Sequence, residues 1–233
     1  MRGARATQIY SVILEAIVEH RLPPGAKLSE EALGEIFGAS RTIVRSALQA
    51  LAHSEIVTLA RNRGAFVAAP SVAEARDVFS GRKLVETAIA REVARIIEPR
   101  QTQALHALLL QEHAALASGD RGAAIRLSGD FHLAVALLRG DGVVTAFLKS
   151  LISRTSLVIA LYGRGVASTC GHDEHAEFVN ALAAHDGERA ATVMIEHLDH
   201  IFSDLDLRPR DDRTVDLGAV LRSVLQSRDR PDR

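Results

Sequence analysis

Ser29-Glu30-Glu31-Ala32-Leu33-Gly34-Glu35-Ile36-Phe37-Gly38-Ala39-Ser40-Arg41-Thr42-Ile43-Val44-Arg45-Ser46-Ala47-Leu48 reads as two short helices joined by a tight turn. Ser29 is a good N-cap, because its hydroxyl can accept from a free N–H of the first helical turn. Glu30 and Glu31 suit the positive end of the helix dipole. Ala32, Leu33, Ile36 and Phe37 give the first helix its buried face, and Gly38 ends it. Ser40 caps the second helix, whose apolar stripe is Val44, Ala47, Leu48 and Leu51. Arg41 and Arg45 are four apart and share the opposite face, with Thr42 beside them. The pattern is a helix-turn-helix, in which the N-terminal turns of the second helix enter the DNA major groove. Arginine can donate two parallel hydrogen bonds to guanine O6 and N7, or clamp a phosphate. The free N–H groups around Ser40 and Arg41 can hold a phosphate as well.

Outward from this pair the chain stays consistent. Ile9, Ile13, Ala16 and Ile17 fall at helical spacing, so a first helix is expected over 7–20, stopped by Pro23-Pro24-Gly25. On the other side, Ile56-Val57-Thr58-Leu59 and Ala65-Phe66-Val67 are strand-like runs around the tip Arg61-Asn62-Arg63-Gly64. Arginines at such a tip suit a minor groove, whose negative potential attracts them. Residues 1–69 hold eight Lys/Arg and six Asp/Glu, net +2, whereas residues 70–233 hold 20 and 23, net −3. The bland alternative is a solvated helix face with ordinary surface arginines. A capped turn, a basic first turn and a basic hairpin tip in this order favour DNA.

Beyond Pro70 only helical patterns occur, over about 72–97, 101–117, 121–139, 143–162, 173–185 and 187–205. Gly119-Asp120, Gly140-Asp141-Gly142 and Asp186-Gly187 mark the joints, and 163–171 reads as a loop. The tail from Arg208 is charged, with room for one more amphipathic helix over 215–225. The 233 residues are 47% hydrophobic and 24% charged, which excludes wholesale disorder. A formal charge of −1 means that nucleic acid must be met by a local patch. The single cysteine, Cys170, excludes a disulfide framework and a Cys-based zinc site. Aromatics at 4% with no tryptophan argue against a stacking platform for single strands. The N-terminal apolar stretch is cut by Glu15 and Glu19, unlike a signal peptide. No apolar run is expected to reach the roughly 20 residues that span a bilayer. The expected place is the cytoplasm.

Leu28-Ser29-Glu30, Leu33, the run Ala39-Ser40-Arg41-Thr42-Ile43-Val44-Arg45-Ser46-Ala47-Leu48, and then Arg63-Gly64 and Val67 resemble the winged helix of GntR-family transcription regulators. The resemblance covers residues 7–69. It implies that Arg41, Thr42 and Arg45 touch DNA and that Arg63-Gly64 forms the wing. The chain departs from the family at Ile43, often proline, and at Ser46, often glutamate. Glu31 stands where some members place a DNA-contacting arginine.

Arg82-Lys83-Leu84-Val85-Glu86, Asp130-Phe131-His132, Asp173-Glu174-His175 and Met194-Ile195-Glu196-His197-Leu198 resemble the all-helical FCD effector domain of the FadR-like subgroup. That resemblance implies a metal site lined by one aspartate and three histidines, a small organic acid as ligand, and a dimer. His132, His175 and His197 fill the three histidine positions, on three expected helices. Read independently, such an arrangement can build an internal site in a bundle. Neutral imidazoles suit a divalent transition metal such as Zn, Ni or Mn and leave positions open. From spacing alone, isolated histidines would be the better reading. The usual aspartate position, four residues before the first histidine, holds Ser128. Asp130 is only two residues before His132, about 200° round the helix, and should point away. His106, His113, His172, His185, His200 and Cys170 are read as bystanders. Arg82 and Arg154 are candidates for a carboxylate effector; their bland readings are an i, i+4 pair with Glu86 and a surface charge.

The expectation is a mostly α protein: a winged helix-turn-helix over 1–69, an all-helical sensing and dimerisation domain over 72–205, and a charged tail over 206–233. Its expected function is ligand-responsive transcription regulation, with repression as the output. Its partners are a double-stranded DNA operator, a small carboxylate and a second copy of itself. Two rivals stand beside this reading: a helical metalloenzyme using the three histidines, and a helical protein-interaction module.

Overall fold

The structure is a computed structural model that describes residues 2–163, 170–207 and 217–228. The expected loop over 164–169 and the charged stretches 208–216 and 229–233 lie outside the described residues. The described residues form ten helices and one small sheet. Two compact units are present: Met1–Pro70 with Ser156–Leu161 and Pro209–Arg233, and Ser71–Thr155 with Tyr162–Arg208.

In the first unit, α1 (Arg2–Val18), α2 (Glu30–Phe37) and α3 (Arg41–His53) pack around Ile9, Ile13, Leu33, Val44, Leu48 and Leu51, all inaccessible to solvent. The Ser29 hydroxyl accepts from the Ala32 N–H at 3.4 Å, as its N-cap role requires. Gly38 takes the left-handed conformation, φ 54°, and turns the chain between α2 and α3. A side chain at Gly34 would meet the Ala39 carbonyl at 3.1 Å, so the turn folds tightly onto α2. The hairpin is β2 (Val57–Ala60) and β3 (Gly64–Val67), in register Thr58 to Phe66. The sequence reading missed a third strand, β1 (Lys27–Leu28), antiparallel to β3, which gives the sheet order β1-β3-β2.

The last helix, α10 (Leu217–Arg228), completes this unit. It packs on α1 and α2, burying Leu221 and Val224 fully. Leu157 of α7 (Val143–Tyr162) joins the same core. The Ser156 hydroxyl donates to the Val18 carbonyl at 2.8 Å, and His20 Nε2 lies 2.9 Å from the Ser156 carbonyl.

The second unit contains α4 (Val72–Ala94), α5 (Pro99–Ala117), α6 (Arg121–Leu138), the first part of α7, α8 (Cys170–Ala183) and α9 (Gly187–Ser203). Its joints are set locally. Ser71 and Glu74 form a reciprocal capping box, and the Asp120 and Asp186 carboxylates accept from Ala123 and Arg189 N–H groups. Small residues let the helices close up. A Cβ at Gly129 would meet Ile152 at 3.0 Å, and one at Gly187 would meet the Arg91 backbone at 3.1 Å. Gly81 sits within a continuous α4, against the Leu151 side chain.

Against expectation, α7 is long and apolar enough by length and composition to cross a membrane. It carries Lys149 and Arg154, and it buries Leu148, Leu151, Leu157 and Val158 inside the protein.

Candidate nucleic-acid interface and candidate metal centre

Ser40, Arg41, Thr42 and Arg45 are exposed along one side of α3, while Val44, Ala47 and Leu48 face the core. Helix periodicity alone produces this division. The Ser40 side chain makes no capping hydrogen bond. The first N–H groups of α3 therefore keep their donor capacity for an outside acceptor. Arg45 is held side-on by Glu30, with Nε donating at 3.0 Å and Nη2 at 2.8 Å to the two carboxylate oxygens. Arg61, Arg63 and Gly64 are exposed at the hairpin tip. Asn62 and Gly64 take positive φ, 59° and 98°, as a tight tip demands. The Arg63 guanidinium lies over the Phe66 ring, 5.8 Å from its centroid, which orders one wing cation.

In the second unit His132 on α6, His175 on α8 and His197 on α9 meet in the interior, each no more than 3% exposed. His175 Nε2 lies 3.3 Å from His132 Nε2 and 3.2 Å from His197 Nε2. The three Nε2 atoms face one point, and behind each ring stands a carboxylate. Glu112 Oε2 is 3.1 Å from His175 Nδ1, and Glu174 Oε2 is 2.8 Å from His197 Nδ1. Glu86 Oε2 is 2.6 Å from His132 Nδ1, a close contact whose angle falls short of a regular hydrogen bond. Carboxylates at Nδ1 favour the tautomer that leaves Nε2 with its lone pair free. Phe131 covers the His175 ring at 4.4 Å between centroids and packs edge-on against Phe178, so one wall is apolar.

Burial sets the electrostatics. Desolvation pushes His132 down to about 4 and His197 down to about 3, the latter helped by neighbouring His175. Both imidazoles are neutral at pH 7. Burial, the largest single influence, would raise Glu86, but the Arg82 charge, the His132 ring and the contacts to both together outweigh it and keep the carboxyl well below its usual range. Glu174 is lowered to about 2, first by its hydrogen bond to His197 and also by one to His200. In return, Glu174 raises His200, whose Nδ1 is 2.7 Å from Oε1.

Arg82 and Glu86 form a buried pair at 2.6 Å, and Arg82 Nη2 has no hydrogen-bond partner among the described residues. Arg82 therefore belongs to the histidine centre. Arg154 is not brought there: it is half-buried, and its charge acts on Glu74 in the first turn of α4. Asp130 pairs with Arg126 at 3.2 Å on the outer side of α6, as its angular offset from His132 requires. Ser128 is half-buried, one turn before His132. His185 binds the Ala94 carbonyl at 2.7 Å, away from the centre.

Sequence reading missed Glu112 and Glu174 altogether and gave Glu86 only as a partner of Arg82. A signal existed for two of them. Glu112 continues the buried stripe Leu105, Leu109, and Glu86 lies between Phe79 and Ile89 on the buried face of α4. An acid in a core stripe needs a partner.

Comparison with known proteins bears on both units. Residues 5–67 match the model of the bacterial regulatory proteins of the gntR family, and residues 77–200 match the FCD domain. The Escherichia coli K12 HTH-type transcriptional repressor RspR is 27% identical over 199 residues, covering 83% of this chain and 86% of RspR. The Bacillus subtilis HTH-type transcriptional regulator LutR is 26% identical, over 77% of this chain and 91% of LutR. Among solved structures, E. coli McbR/YncC shares the fold with a TM-score of 0.77 at 19% identity, covering 85% of this chain and 95% of that one. A GntR regulator from Rhodococcus sp. RHA1 does so with a TM-score of 0.75 at 24% identity, covering 84% and 95%. These families and relatives are transcriptional regulators, so the metalloenzyme reading is not favoured. With a helix-turn-helix unit matched at one end and a helical sensor unit at the other, the chain belongs to the GntR family of transcriptional regulators, FCD-domain subgroup.

Proposed function

We propose that this regulator binds a divalent transition metal at His132, His175 and His197 and senses a small carboxylate there. The observation that carries the reading is the convergence of three buried Nε2 atoms, each ring backed by a carboxylate. The donor set fits a metal. Neutral imidazoles are the ligand form, and the surrounding carboxylates favour a nearby cation. The usual aspartate is replaced by Ser128, whose hydroxyl is a poor ligand, so three protein ligands are expected. A bound Zn, Ni or Mn ion would offer open coordination positions to an effector carboxylate. Arg82 Nη2, buried and unpartnered among the described residues, supplies a second anchor for that carboxylate.

On the DNA side, Arg41, Thr42 and Arg45 read the major groove. Ser40 and the α3 N-terminus hold a phosphate, and Arg61, Arg63 and Gly64 form the wing. The working form is a cytoplasmic homodimer on a palindromic operator. Leu84, Leu137, Val143 and Phe147 are exposed apolar side chains of the sensor unit available to a second copy. The effector acts by preferring one of two arrangements, and repression relieved by the effector is the expected output.

The test uses the full-length protein without a histidine tag. Its metal content is measured as purified and after adding Zn, Ni or Mn. Binding to DNA flanking its own gene is then followed with a panel of small carboxylates. Metal-dependent modulation of DNA binding by one acid is the expected result. A chain that refuses all three metals overturns the metal part and leaves the histidines as a polar lining. DNA binding indifferent to every acid overturns the sensor part.

A further inference from the structure

We propose that Glu30 is a specificity-determining residue, holding the Arg45 guanidinium side-on so that its outer edge meets one base. The inference rests on the reading of Arg45 as a base contact. Guanidinium is planar, with five N–H bonds in a fixed fork, so fixing one edge fixes the other. The two hydrogen bonds to Glu30 occupy Nε and one N–H of Nη2. Left over are Nη1 and the outer N–H of Nη2, the parallel pair that matches guanine O6 and N7.

Both ends of this clamp are anchored. Glu30 is the first residue of α2, behind the Ser29 cap, and Arg45 is in the second turn of α3. The helices are locked together by the Gly38 turn and the close approach at Gly34. Arg45 is 60% exposed and Glu30 31%, so the guanidinium reaches solvent while the carboxylate stands behind it. The Arg45 hydrogen bonds hold the Glu30 carboxyl below its usual range, so it stays charged.

The energetics argue against simpler roles. An exposed ion pair contributes little to folding. A carboxylate near a phosphate backbone opposes generic DNA attraction. Beyond its small helix-terminus contribution, a residue that adds nothing to overall affinity yet fixes a base-reading side chain acts on discrimination.

The experiment compares wild type, Glu30→Gln, Glu30→Ala and Arg45→Ala as full-length proteins. The probes are a duplex selected by the wild-type chain from a random library and a shuffled duplex of equal length. For both Glu30 variants we expect unchanged or severalfold tighter binding to the shuffled duplex. The ratio of selected to shuffled affinity should fall about tenfold. Reselection should relax the same base-pair position that Arg45→Ala relaxes. Equal tightening on both duplexes would reduce Glu30 to a source of charge repulsion and overturn the proposal. Equal weakening on both, or a lowered unfolding midpoint, would make it structural and also overturn it. If Arg45→Ala itself leaves the selected duplex bound normally, the base-contact reading of Arg45 is what fails.

Discussion

Arg41, Thr42, Arg61 and Arg63 stand exposed on the first unit, whereas His132, His175 and His197 are sealed in the second, each already contacting a carboxylate. Both sets are polar groups, but they are kept in the free protein at different cost. An exposed arginine is hydrated until DNA replaces water, so it needs no partner in the free protein. A buried imidazole must be neutral and supported from within, or the fold destabilises. The exposed arginine face can therefore be changed residue by residue with small structural consequence. The histidine centre cannot, because each ring, its carboxylate and Arg82 are coupled.

The sharpest way to break this contrast is His175→Ala, since its Nε2 lies within 3.3 Å of both other rings. Metal affinity should fall by more than about 100-fold, because removing an outer partner alone costs about 10–100-fold. Ser128→Asp, one turn before His132, should tighten binding by returning a carboxylate to the same face. Equilibrium dialysis with Zn or Ni checks both, and an unchanged affinity in His175→Ala removes that residue from the site.

Acid should expose the same coupling without mutation. Below pH 6.5 the unfolded chain protonates histidines that the fold keeps neutral, down to about 4 at His132 and about 3 at His197. More protons bind the unfolded state, so stability falls as pH falls. The metal-free protein should lose about 4 kcal/mol between pH 6.5 and 4.5, roughly 2 from each of these two histidines. Urea unfolding at stepped pH measures this, and a flat profile would contradict the buried, neutral centre.

On the exposed side the effects are smaller and confined to binding. Arg41→Ala should cost about 1–3 kcal/mol of operator affinity where the arginine bonds a base edge, with the unfolding midpoint unchanged. Normal operator affinity removes Arg41 from the interface. Replacing Arg61 and Arg63 together should lower the log–log salt slope by roughly one unit for each phosphate that the wing arginines neutralise. Titration at several salt concentrations decides whether the wing touches DNA.

The same contrast explains what could be read from the sequence. Helix joints and the exposed face of α3 were legible because caps, turns and helical spacing are local: Ser29, Gly38, Asp120 and Asp186 act within a few residues of themselves. Two-residue β1 was not legible, because only its distant pairing with β3, in register Lys27 to Phe66, makes it a strand. The histidines were found through family resemblance. Glu112 on α5 and Glu174 on α8 were missed, and Glu86 on α4 was given only to Arg82, because no fixed spacing links these carboxylates to rings on other helices. Arg154 carries the same charge as Arg82, and spacing alone does not separate the two; its charge acts on Glu74.

The docking of α10 on α1 and α2 has a consequence for how the protein is made. The ribosome releases residues 1–70 first, yet Leu221 and Val224, which complete that unit's core, emerge only after the whole of the second unit. Until then, the faces of α1 and α2 that they cover lack their native lid and are open to wrong partners. A premature stop after α9 would accordingly be felt far from the cut, as an incompletely closed helix-turn-helix unit.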